Sequence, residues 1–297
     1  MKRKAGWGAY PYILPHLVFY VGFLLVPFFG GIYISLQRWS IFKGQEAFVG
    51  LKYYLRLFDG DFVRAGYFWK SLWVTAQFVI YCVPALIAIS LALALLLHAC
   101  KNKWIRVVGQ FSFLVPTAIA VSVIAVIWRW ILGYEVGIAN FFVTHLGLGK
   151  LPWLTDVPWA WVSIIVPTLW MACGWNMVLF LVGLQTIPES LYEAAEVDGA
   201  SPWQRFLNIT LPGLKPITLF VVITQIIAAF NLFAQPQLLT LGGPGRETTP
   251  VMMFLFQEAF EPRYPRLGSS MAMGFVTGAI VFSIVYAVHF LFSRQKD

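Results

Sequence analysis

The chain has 297 residues, of which 59% are hydrophobic and only 11% charged, with a formal net charge of +8 and a mean hydropathy of +0.74. An ordinary water-soluble domain carries about 25% charged residues, so this composition excludes one and points to a polytopic membrane protein. Its core is then a helix bundle facing lipid, where every backbone polar group must be paired internally.

The chain opens with MKRK, followed by an apolar run over 12–36. That run is longer than the apolar region of a signal peptide and has no A-x-A-like cleavage site after it, so it reads as an uncleaved first span. Five more runs follow, at about 71–99, 105–131, 158–184, 215–240 and 271–292. Each is long enough to cross about 30 Å of hydrocarbon. The expectation is therefore an all-α, six-span protein forming one membrane domain over 1–297. Pro15, Pro27, Pro84, Pro116 and Pro167 fall inside spans, where proline kinks a helix but is tolerated.

Between the first two spans, segment 37–70 contains FVGLKYYLRLF. Its helical apolar spacing, with Lys52 and Arg56 interleaved, predicts an amphipathic helix at the outer interface. Cys82, Cys100 and Cys173 show no CxxC spacing, and His16, His98, His145 and His289 form no HxxxH or HExxH pattern. They read as packing or interface residues, and no metal site is expected.

The basic residues of MKRK, of the 100–106 turn, of the 185–215 loop and of the RQKD tail favour an inside location for those segments and for both termini. The 185–215 loop contains EAAEVDGASPWQRFLNITLP. Pro188-Glu189 suits a helix start, and Asp198-Gly199 ends that helix. Ser201-Pro202 starts a second helix, with Ser201 as N-cap, and Pro212 is expected to stop it. Gly199 is expected where a turn leaves no room for a side chain. The result is a cytosolic helix–turn–helix. A connector that merely lies on the membrane fits the same pattern.

In this stretch Glu193-Ala194-Ala195, Gly199, Ile209 and Leu211-Pro212 stand at the spacing E-A-A, three residues, G, nine residues, I-x-L-P. That resembles the EAA loop of permease subunits of bacterial binding-protein-dependent ABC importers. FVGLKYY at 48–54, GLQTIPESLYEAAEVDGAS at 183–201 and FNLFAQPQLLTLGGPGRETTP at 230–250 resemble its carbohydrate branch, the maltose and glycerol-phosphate permeases. The resemblance implies a type I importer permease fold in the inner membrane, and a pore-forming, sugar-importing subunit that is not itself an enzyme. It implies a heterodimer with a second permease subunit. It also implies two cytosolic ATPase subunits, against which Glu193 and the rest of the EAA loop dock as a coupling helix pair, and an extracytoplasmic sugar-binding protein. ATP and Mg belong to the partner ATPase, and no cofactor is expected on this chain. In accord, the chain has no GxxxxGK[ST] phosphate loop. Two positions depart from the pattern: many relatives have an acid at the position of Asn231 and an Asn at that of Lys70.

Polar side chains inside spans face a cavity or another helix. Thr224, Gln225, Asn231 and Gln235 of the fifth span, with Trp170 and Asn176 of the fourth, are the candidates for a sugar path. Thr224, Ala228, Asn231 and Gln235 are spaced to share one helical face. Hydrogen bonding between helices is the alternative role for each. A secondary transporter or a membrane-embedded enzyme acting alone would need intramembrane ionisable groups, internal repeats or a catalytic cluster; the spans show no clear repeat, no unpaired acid and no such cluster, and Arg129 sits near a span end.

Overall fold

The computed structural model describes residues 10–40, 42, 44–60, 62–260 and 266–294. The MKRK tail and the last three residues of RQKD lie outside them. Four helices are long and apolar enough to cross a membrane: Tyr12–Ser35, Val63–Ala99, Trp159–Gln185 and Leu267–Arg294. Two bent helix pairs would raise the number to six. The chain divides into two compact units, residues 1–68 with 255–279, and residues 69–254 with 280–297.

In the first unit, α1 (Tyr10–Tyr20) and α2 (Val26–Ser35) are joined by a wide π turn, Val21–Leu25, in which the Val26 N–H donates to the Val21 carbonyl. The wide turn stands immediately before the turn that contains Pro27, where a missing N–H and a ring clash make tight α-helical bonding costly. After Ser35 the chain forms a strand pair ahead of the stretch expected to be an amphipathic helix. β1 (Gln37–Ser40) and β2 (Gly44–Phe48) pair antiparallel, with a bulge between Arg38 and Trp39. The expected helix in FVGLKYYLRLF is present but short, Lys52–Arg56 (α3). Gly50 at φ +56 holds a left-handed conformation that keeps the helix from starting earlier, and Gly44 at φ +69 turns the chain into β2. The start of α15 (Leu267–Arg294) packs against this ribbon so closely that a Cβ on Gly268 would lie 2.0 Å from the Gln37 carbonyl oxygen. The buried Glu258, on α14 (Val251–Phe260), pairs with Arg64 in the first turn of α4 (Val63–Ala99) and, at 3.7 Å, with Arg266.

In the second unit, α8 (Trp159–Gln185) is the central element. Met177, Phe180, Leu181 and Leu184 of α8 pack with Ala94 and Leu97 of α4, and with Leu214 and Val221. α5 (Lys103–Leu114) comes so near α8 that a Cβ on Gly174 would sit 1.9 Å from the Phe113 carbonyl oxygen. The third expected span is not straight. α5 runs through a 3₁₀ turn, Val115–Ala118, into α6 (Val121–Ile131), with a bend of 100°. Pro116 stands at the break, where it can neither donate nor tolerate the carbonyl of the preceding turn. Beyond it, α7 (Ile138–His145) carries the buried Asn140, whose amide bonds Tyr134, Leu151 and Trp153 and so fixes the following loop. The fifth span also ends early. α12 (Lys215–Phe230) stops at Asn231, and a separate short helix, α13 (Ala234–Leu239), follows.

Candidate coupling loop and substrate path

The segment after α8 is a helix pair built almost wholly from local bonds. α9 (Glu189–Val197) begins after Pro188 in extended conformation, with Glu189 in its first turn. It ends in a Schellman arrangement: the Gly199 N–H donates to the Glu196 carbonyl at 3.1 Å and the Ala200 N–H to the Ala195 carbonyl at 2.8 Å. Gly199 has φ +74, and nothing lies within 4 Å of where its Cβ would stand. The requirement for glycine is therefore conformational, and the expected crowding is absent. Ser201 then forms a full capping box with Gln204, and Pro202 takes the first turn of α10 (Pro202–Arg205).

Two cross-links fold the pair together. Arg205 pairs with Glu196 at 3.1 Å, and the Tyr192 hydroxyl meets the Thr210 hydroxyl at 2.9 Å. Pro212 does not stop the second helix as expected. A π turn, Phe206–Thr210, lets the Leu211 N–H reach the Phe206 carbonyl, and Pro212 lies inside the next turn, α11 (Leu211–Gly213). The same device precedes Pro27, so in both places a wide turn makes room for a proline that a regular helix would not hold. The chain then turns by 63° into α12.

Glu193, Ala194, Leu211 and Pro212 are exposed on this pair, while Ala195 and Ile209 are half-buried. Val197 is 89% exposed and Trp203, stacked on Phe206, 66%. An acid beside bare apolar side chains on a folded helix pair is a surface suited to a protein partner.

A cavity of about 350 Å³ lies among α4, α8, α12 and the chain after α12. It gathers Asn176, Gln225, Asn231 and Gln235. Gln225 donates to the Asn176 carbonyl oxygen at 3.1 Å, and Asn176 donates to the Ala172 carbonyl at 2.8 Å. Asn231 caps α12 and its amide donates to the Ile227 carbonyl at 2.8 Å. Because α12 ends there, Asn231 and Gln235 do not share a helical face with Thr224; it is the break after Phe230 that brings them to the cavity. Thr224 turns its hydroxyl back on the Phe220 and Val221 carbonyls, and Trp170 packs edge-on against Trp128. Neither lines the cavity. The indole that does is Trp175, which the sequence reading missed. Thr168, Met171, Ala172, Trp175 and Asn176 are spaced 3, 1, 3, 1, the mark of one helix face, and Trp170 falls about half a turn away. That spacing was the available signal.

The LTLGGP stretch forms a buttressed loop beyond α13. The hydroxyls of Thr240 and Thr248 meet at 2.7 Å, Thr249 donates to the Gly242 carbonyl at 2.9 Å, and Gly242 is left-handed at φ +79. Lys70 holds the loop from α4, reaching the Gly245 carbonyl at 3.1 Å and the Glu247 carboxylate at 2.7 Å.

Residues 85–296 match the family described as binding-protein-dependent transport system inner membrane component. The chain is 34% identical to the trehalose/maltose transport system permease protein MalF of Thermococcus litoralis, over 96% of this chain and 93% of that protein. It is also 34% identical to the sulfoquinovosyl glycerol transport system permease protein SmoG of Agrobacterium fabrum, over 90% and 83%. A chain of a bacterial alginate ABC transporter, solved in complex with an alginate pentasaccharide-bound periplasmic protein, shares the fold. Its TM-score is 0.82 at 22% identity, covering 98% of this chain and 96% of that one.

Proposed function

The chain belongs to the family of binding-protein-dependent transport system inner membrane components and is a permease subunit of such a system; from that premise we propose that its cargo is a sugar or sugar derivative, moved by alternating access that a separate ATPase drives. One observation carries the reading: four carboxamides and an indole meet around one cavity within the membrane unit. A carboxamide offers both donors and acceptors to sugar hydroxyls, and an aromatic face covers the apolar side of a sugar ring. Asn176 and Gln225 already bond one another. A hydroxyl that enters there exchanges one hydrogen bond for another, a small net change that suits a site which must also release its cargo. Two of its relatives are named for the transport of trehalose/maltose and of sulfoquinovosyl glycerol, cargoes of the same chemical class.

The helix pair 189–213 is then the contact with the ATPase, with Glu193 the charged point of that contact and Gly199 the turn that shapes it. Two such ATPase subunits, a second permease subunit and a receptor that carries the sugar on the outer side complete the machine, and both termini lie inside. ATP and Mg stay with the ATPase.

The decisive experiment is uptake by the whole transporter in proteoliposomes with its receptor. Asn231→Leu and Gln235→Leu are expected to lower uptake at least ten-fold, or to change which sugar is carried, without loss of assembly, since each replaces an amide at the cavity by a group that cannot bond a hydroxyl. Normal uptake of every sugar tested by both variants would leave these amides as packing groups. A cysteine placed at Ser201 should react with impermeant reagents only from the cytosolic side; reaction from outside would overturn both topology and coupling role.

A further inference from the structure

We propose that the first unit holds an anionic phospholipid, with the phosphate headgroup in a basic cavity and an acyl chain in the apolar groove beside it. The cavity measures about 490 Å³, and among the described residues five cations line it, Arg38, Lys52, Arg56, Arg64 and Arg266, against two carboxylates, Glu46 and Glu258. Glu258 is engaged by both Arg64 and Arg266, so it does not balance the other three. Arg38, Lys52 and Arg56 are exposed. Arg56 lies over the Phe62 ring at 5.6 Å, which fixes its guanidinium at the cavity wall. Tyr53 sits between the charges; burial lifts its phenol above the usual range, while the hydrogen-bonded Arg38 beside it lowers it. The phenol therefore stays protonated and can donate to an anion.

Position selects the source of that anion. Arg38 follows the end of α2 by three residues, Arg64 lies in the first turn of α4, and Arg266 immediately precedes α15. With these helices as membrane spans, the cations stand at span ends, the level of lipid headgroups. A second groove of about 410 Å³ shares Val49, Lys52 and Arg56 with the cavity and continues over Leu51 and Leu55, with Asp59 also in its lining. These two leucines are 62% and 71% exposed. A free phosphate or a charged sugar would use the cations and leave the groove bare. A phospholipid with a net negative headgroup uses both.

The test is lipid retention by the complete transporter, measured by native mass spectrometry after release from nanodiscs containing phosphatidylglycerol and phosphatidylcholine in equal amounts. The wild type is expected to keep phosphatidylglycerol in preference to phosphatidylcholine, and R38Q/R56Q to keep it about ten-fold less well. Sugar uptake does not enter the readout, so failure here leaves the transport reading standing. Millimolar inorganic phosphate or glycerol 3-phosphate should not displace the lipid; displacement would make the site one for a free phosphate and overturn the proposal. Equal retention of the two lipids, or an unchanged double variant, would overturn it as well. Should R38Q/R56Q unfold, Leu55→Gln, an exposed change without charge, carries the test from the groove side: lower retention supports the proposal and wild-type retention overturns it.

Discussion

The helix pair Glu189–Gly213 is held by bonds between residues at most 18 positions apart, the Tyr192–Thr210 contact being the longest. The ribbon Gln37–Phe48 and the helix after it lean on Gly268, from the far end of the chain. Both segments connect spans, and both carry apolar residues at helical spacing. The difference teaches where conformational information resides. A Schellman glycine, a capping box and an ion pair fix the first pair from within. The second segment has left-handed glycines at its bends and takes the rest of its shape from what packs on it.

The largest effect is therefore expected at a residue that lies in neither segment. Gly268→Val forces a branched side chain into the space of the Gln37 carbonyl, 2.0 Å from where its Cβ must stand. Overpacking of this kind costs about 3 kcal/mol. Proteolytic cleavage within 37–56 should become fast, while cleavage within 189–213 keeps its wild-type rate. Equal acceleration at both places would show that the two segments are not independently held.

The local pair should break from within. Gly199→Val puts a β-branched residue at φ +74, a strain of about 1–2 kcal/mol, whereas Gly199→Asn should be nearly silent because Asn accepts the left-handed region. Under the coupling reading, Val at this position weakens ATPase retention, and Glu193→Lys, which alters an exposed charge and no fold, weakens it too. Retention at wild-type strength in both would detach the loop from the ATPase. Loss in Gly199→Val alone would make the pair a connector whose shape matters but whose charge does not.

The same contrast explains what the sequence disclosed. The caps at Ser201 and Gly199 were readable because each is a short-range chemical signal with one structural outcome. The bend in the third span and the end of the fifth were not. Pro116 marked a kink in the third span but not a bend of 100°, and hydropathy averages over a window and passes through Asn231 without registering that the helix ends there. The cavity amides Asn176, Gln225, Asn231 and Gln235 are legible from polarity alone, but Asn231 and Gln235 reach the cavity because the helix ends at Phe230 and not through a face shared with Thr224. The ribbon was hidden for another reason. It lies almost wholly before FVGLKYYLRLF, whose periodicity marks α3; its own two strands are short and take their place from tertiary packing.

The smallest change expected to register is Ser201→Ala. It deletes the Oγ that accepts the Gln204 N–H at 3.3 Å, while the Gln204 side chain still accepts the Ser201 N–H at 2.8 Å. Loss of such a cap typically costs about 1 kcal/mol, and here the cap is exposed, so water replaces part of what is lost. The amide of Gln204 should exchange with solvent about five-fold faster. Gln204→Ala removes the reciprocal bond and should speed exchange at Ser201. Because the box closes only when both side chains are present, the double variant should lose less than the sum of the singles. If the two losses add without coupling, the box is two separate contacts, and the fold of the second short helix rests on Pro202 and the Glu196–Arg205 pair instead.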